Sequence, residues 1–152
     1  MKKIFLSAAL LCGIFVSCTK SDNSGTTGCT LSSTSILGKY KITAVTFTPN
    51  AIPYPVNGLQ YFPACDTDNV YELKVDSIAT ITDAGVQCSP SADATGNWSL
   101  SHDTLSTTLS TTSQQTLSGK VSGFSCTGGF TLTGTDTIAG VAGTAVIALA
   151  KQ

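Results

Sequence analysis

The sequence contains no Arg. Its eight basic residues are all Lys, charged residues make up only 11% of the 152, and the formal net charge is −1. A nucleic-acid partner needs a basic patch, usually built with Arg, so no nucleic-acid partner is expected. There is one His and no Cys-x-x-Cys pair, which argues against a zinc centre. That His, His102, stands between Ser101 and Asp103. Three adjacent residues splay apart on a turn and cannot converge as a catalytic triad. No two carboxylates are placed as a general acid and base. Asp66-Thr67-Asp68-Asn69 offers oxygens but lacks the Gly and distal Glu of a calcium loop. The chain is therefore expected to be non-enzymatic, with no catalytic residue, no metal and no cofactor. It also lacks any stretch with a helical hydrophobic period.

What is present begins with an address. Lys2 and Lys3 precede an apolar run from Ile4 to Val16, too short for a comfortable membrane span. The run ends Phe15-Val16-Ser17-Cys18, which resembles a bacterial lipobox. That resemblance implies a signal peptide over 1–17, cleavage before Cys18, and acyl chains, palmitate among them, on Cys18. Several chains on one Cys anchor stably, each buried methylene adding ~0.8 kcal/mol. The expected location is the cell envelope, as an outer-membrane lipoprotein, with the membrane face left open. Residues 18–35, almost all Ser, Thr, Gly, Asn, Asp and Lys, read as the lipidated Cys and a flexible linker.

Residues 36–152 read as one small domain rich in Thr, Ser and Gly. Setting aside Cys12 and Cys18 leaves Cys29, Cys65, Cys88 and Cys126, an even set that in an exported chain reads as disulfides. Three connectivities exist. Cys65–Cys88 is favoured because it brackets one hairpin, and elimination leaves Cys29–Cys126.

The hydrophobic period is 2. Tyr40 and Ile42 share one face, and Val45 and Phe47 share another out of phase, so a β-bulge near Ala44 is expected to bring both pairs inward. Tyr71, Leu73 and Val75 alternate with Glu72 and Lys74, and Ile78 to Thr82 returns. Gly96, Trp98 and Leu100, then Leu105, Thr107 and Leu109, then Leu117, Gly119 and Val121, then Phe130 and Leu132, and finally Ala145, Ile147 and Leu149 repeat the pattern. This predicts an all-β domain of about eight short antiparallel strands. An up-and-down barrel is the expected architecture, with a β-sandwich as the alternative that periodicity does not separate. Between the first two strands, 49–63 carries Pro49, Pro53, Pro55 and Pro63 with Tyr54, Tyr61 and Phe62. Proline forbids a central strand there, and a long loop folding over one end as a lid or plug is expected.

Leu37-Gly-Lys-Tyr40 is similar to the Leu-x-Gly-x-Trp opening of lipocalin-like domains, with Tyr in place of Trp. Together with Cys65 to Leu73, Cys88, Gly96-Asn-Trp98 and Asp103-Thr-Leu105, it resembles the lipocalin-like lipoproteins of Bacteroidota. The resemblance implies a barrel with an apolar cavity, and so a small apolar or amphipathic ligand. Tyr54, Tyr61, Phe62, Tyr71 and Leu73 are the expected lining. Trp98 is a further candidate, although core packing suits it better. The competing expectation is a filled barrel acting through its loops on an envelope protein partner. Finally, Asp76-Ser77-Ile78, Asp103-Thr104-Leu105 and Asp136-Thr137-Ile138 resemble the O-glycosylation acceptors of Bacteroidota, which implies modification at Ser77, Thr104 and Thr137.

Overall fold

The computed structural model describes residues 29–110 and 117–152. Cys18 and the targeting segment lie outside the described residues. The elements are β1 (Gly38–Pro49), β2 (Val56–Asn57), a 3-10 turn (Gly58–Tyr61), α1 (Ala64–Thr67), β3 (Val70–Leu73) and β4 (Ile78–Thr82). They continue with β5 (Ala94–Ser101), β6 (Thr104–Leu109), β7 (Gly119–Ser125), β8 (Gly129–Ile138) and β9 (Val141–Lys151). From β3 to β9 each strand pairs antiparallel with the next, and β1 pairs with both β3 and β9. The eight-stranded sheet is thereby closed into a barrel. Closure removes free edges, which two stacked open sheets would have kept.

β1 organises the closure because it is long enough to serve three neighbours. Gly38 to Lys41 pair with β3, and Thr46 and Phe47 pair with the two-residue β2 after β3 has diverged. The opposite edge pairs with β9 from Tyr40 to Pro49. The register against β9 shifts between Ile42 and Ala44, leaving Thr43 as the extra residue. That bulge turns Tyr40, Val45 and Phe47 into the interior, where each is under 5% exposed.

Antiparallel order sorts the connections between two ends. The β3–β4, β5–β6 and β7–β8 turns share one end, which is closed. Tyr40 fills it, its hydroxyl donating to the Ile36 carbonyl at 2.6 Å and its ring meeting Phe130 edge-on at 4.9 Å. Lys151 Nζ lies 5.8 Å from the Tyr40 ring centroid. Residues 29–35, expected as linker, fold onto this end: Leu31 packs against the core and Cys29 is bonded to Cys126. Burial pushes the Tyr40 phenol up to about 12. Trp98 donates from Nε1 to the Lys74 carbonyl at 2.8 Å, so its polar handle is satisfied inside the core.

The barrel centre is solid. Leu105, Leu132, Tyr71, Leu73, Phe130 and Trp98 are all buried in one cluster with Tyr40. Gly96 is required by this packing, since a Cβ there would run into the Thr108 carbonyl on β6. β8 and β9 are joined by Ala139 and Gly140, both with positive φ (51° and 78°), as a two-residue hairpin of the primed type demands.

Three expectations are corrected. The strand expected to reach Asp76 ends at Leu73; Val75 enters a tight turn and is 65% exposed rather than inward. A helix, although only of four residues, does form at Ala64–Thr67, started by Pro63. The segment 49–63 is not structureless. Pro49 ends β1, Val56 and Asn57 form β2, and Asn57 Oδ1 accepts from the Leu59 N–H to start the 3-10 turn.

Candidate ligand site at the open end of the barrel

The other end gathers the β1–β3 connection, the β4–β5 connection and the β8–β9 hairpin. A second cluster lies there, made of Val45, Phe47, Ile138 and Ala145, with Ile42, Val56, Leu59, Phe62 and Ile147 packed against it. This cluster does not fill the mouth. A cavity of about 160 Å³ remains, with an apolar wall from Ile42, Val45, Leu59, Phe62, Leu117, Ile138 and Ile147. Its polar wall comes from Asp66 and Thr67 on α1, Tyr71 on β3, and Asp136 and Thr137 on β8.

The local sequence places these groups for simple reasons. β3 begins immediately after α1, so Asp66 and Tyr71 reach one rim. The Cys65–Cys88 disulfide fixes α1 to the β4–β5 connection. That connection is itself folded around carboxylates that accept backbone N–H bonds. Asp83 accepts from Cys88 and Ala92, each at 3.0 Å, Asp68 accepts from Val86 at 2.8 Å, and Asp93 accepts from Asp83 at 2.8 Å. Such acceptance favours the ionised form. The Ala92 bond, with that of Cys88, holds the Asp83 carboxyl below its ordinary value. Asp66 is pushed the other way, by burial and then by the charge of Asp83. Burial, and secondarily the Asp66 charge, pushes the Tyr71 phenol far up as well, so it is a neutral group at the cavity wall.

The expected lining is divided. Tyr61, Phe62 and Tyr71 are on the cavity wall. Leu73 and Trp98 belong to the solid core instead, because the closed half of the barrel leaves no space beside them. Tyr54 points away from both, 72% exposed, since the chain at Pro53–Pro55 has not yet turned back to the sheet. The residues that sequence reasoning missed are Asp136, Leu117 and Ile147, along with Asp66 as a wall residue. Asp66 carried a signal, as the neighbour of a Cys tied at the mouth. The others carried none, because their convergence depends on the closure.

Cys65, Asp66 and Cys88 lie close together. Both sulfurs are in the disulfide, so no thiolate is free to bind a metal. Ser77, Thr104 and Thr137 are all exposed at the turns or strand ends that bear them. Ser101 Oγ and His102 Nδ1 are 3.4 Å apart on an exposed turn, and Asp103 there pairs with Lys120 at 3.1 Å. Among the described residues no helix is long and apolar enough to cross a membrane.

The fold and site define a closed, lipocalin-like antiparallel barrel with one plugged end and one hollow end. The family model described as lipocalin-like domain matches residues 36–128, more than half of the chain, and the chain belongs to that family. No curated protein and no solved structure gave a match. The match stops at the β7–β8 turn, so β8 and β9, which complete the barrel and supply Asp136 and Ile147, lie beyond it.

Proposed function

We propose that this protein is a membrane-anchored carrier or sensor of a small amphipathic molecule, bound at the open end of the barrel. The observation behind the reading is the partly apolar cavity of about 160 Å³ at the mouth. Drug-sized sites run roughly 300–1,000 Å³, whereas an apolar cavity of roughly 150 Å³ accommodates benzene. The ligand is therefore a single ring or a short branched chain, not a long acyl chain or a fused polycycle. The solid centre around Leu105 and Leu132 keeps it at the mouth.

The anchor in this reading is lipid on Cys18, supported by the lipobox-like Ser17-Cys18 after an apolar run. Placement among Bacteroidota envelope lipoproteins and glycosylation at Ser77, Thr104 and Thr137 rest on sequence resemblance together with the exposure of the three hydroxyls. A second reading, an envelope interaction module, is favoured by the exposed rim of Ile52, Tyr54, Val86 and Val141.

The test is native mass spectrometry of the full chain, matured in a bacterial envelope and recovered in mild detergent. A small molecule retained natively and lost on denaturation is the expected result. A clean ligand-free mass would overturn the carrier reading and favour the interaction module. The denatured mass also reads the lipid, expected to vanish in Cys18→Ala, and any hexose increments.

A further inference from the structure

Resting on the binding reading above, the geometry points to a small organic cation as the ligand class: a primary amine carried on a single apolar ring. The cavity wall places two carboxylates, Asp66 and Asp136, from two different elements beside an apolar surface that includes the rings of Tyr61, Phe62 and Tyr71. No Lys or His lines it. The five Lys of the described residues are all committed elsewhere. Lys74 pairs with Glu72 at 3.3 Å and Lys120 with Asp103 at 3.1 Å, both near the closed end. Lys151 lies over Tyr40, and Lys39 and Lys41 alternate with inward Tyr40 and so face outward on β1.

The mouth thus holds negative charge without a protein counter-charge. Asp66, Asp83 and Asp136 all sit at this end, and the chain itself brings no cation to them. Burial and the Asp83 charge already disfavour the ionised form of Asp66, a cost that a bound ammonium would relieve. Asp136 accepts the Thr137 N–H at 2.6 Å through Oδ1, which leaves Oδ2 for a ligand. The aromatic rings supply faces for a cation as well as apolar contact. An anionic ligand of the same size would meet two carboxylates and no donor of positive charge.

The experiment uses three probes of one shape and different charge on the full chain: phenethylamine, 2-phenylethanol and 3-phenylpropionate, titrated calorimetrically at neutral pH. Phenethylamine is expected to bind about tenfold or more tightly than the alcohol, the size of effect given by a hydrogen bond to a charged group. The propionate is expected not to bind. Asp66→Asn and Asp136→Asn, which keep the shape of each side chain, should each narrow the amine-over-alcohol ratio several-fold. Equal binding of amine and alcohol, or an unchanged ratio in both variants, overturns this inference and leaves the carrier reading standing. Binding of none of the three overturns both.

Discussion

The two disulfides differ in what they constrain, and their removal should separate stability from local order. Cys65–Cys88 spans 23 residues of sequence and Cys29–Cys126 spans 97. A cross-link restricts the unfolded chain by an entropy that grows with the logarithm of the loop, about 3.4 kcal/mol for the shorter loop and about 4.7 kcal/mol for the longer. Cys29→Ser/Cys126→Ser is therefore expected to lose roughly 1.3 kcal/mol more than Cys65→Ser/Cys88→Ser in urea unfolding. For a domain of this size that is on the order of a 5 °C wider drop in Tm. The local effects should run in the opposite functional sense. Loss of Cys65–Cys88 frees α1, which carries Asp66 and Thr67, from the β4–β5 connection and so loosens the cavity. Loss of Cys29–Cys126 frees only the segment packed over the closed end. Amide hydrogen exchange should rise around 64–69 and 83–93 in the first variant and around 29–37 in the second. If the shorter bridge proves worth as much stability as the longer, or if its loss leaves the mouth amides unchanged, the reasoning fails.

Three further outcomes are expected. Asp83→Asn should lower Tm at pH 7. Because the folded carboxyl is held below its unfolded value by the Ala92 and Cys88 N–H groups, the deficit should persist above the unfolded value and fade as pH falls through the folded one; a pH-independent deficit would be the wrong result. Tyr40, pushed up to about 12 by burial, keeps its proton in the fold after the unfolded phenol has lost it. Its stabilising contribution is complete below roughly pH 10 and is lost as pH rises towards the folded value, so an absorbance titration of the folded protein should lack a transition near pH 10 that is restored on unfolding or assigned to exposed Tyr54 and Tyr61 by their Phe substitutions. Gly96→Ala should cost about 2 kcal/mol or more in denaturant unfolding, because the added methyl meets the Thr108 carbonyl rather than a movable side chain; a cost within ~0.5 kcal/mol would show that β5 and β6 can separate.

By itself the sequence determined the local half of this protein. Alternation of apolar and polar residues is a property of each strand, so the β class and most strand positions were legible. So was the bulge on β1, because Tyr40 and Ile42 are out of phase with Val45 and Phe47 and only an inserted residue reconciles them. Leu37 to Tyr40 and the Cys65 to Trp98 stretch carried the family. The tertiary structure decided the rest. Whether the sheet closes depends on β1 meeting β9, with Tyr40 opposite Lys151, and strand period is the same in a barrel and a sandwich. The size of the hollow depends on how side chains from eight strands share one volume. Tyr40, Tyr71, Trp98 and Phe130 fill the centre between them, leaving about 160 Å³ at the mouth. The acidity of that hollow depends on the same closure, which brings Asp66 and Asp136, 70 positions apart in sequence, to one cavity while the lysines remain elsewhere.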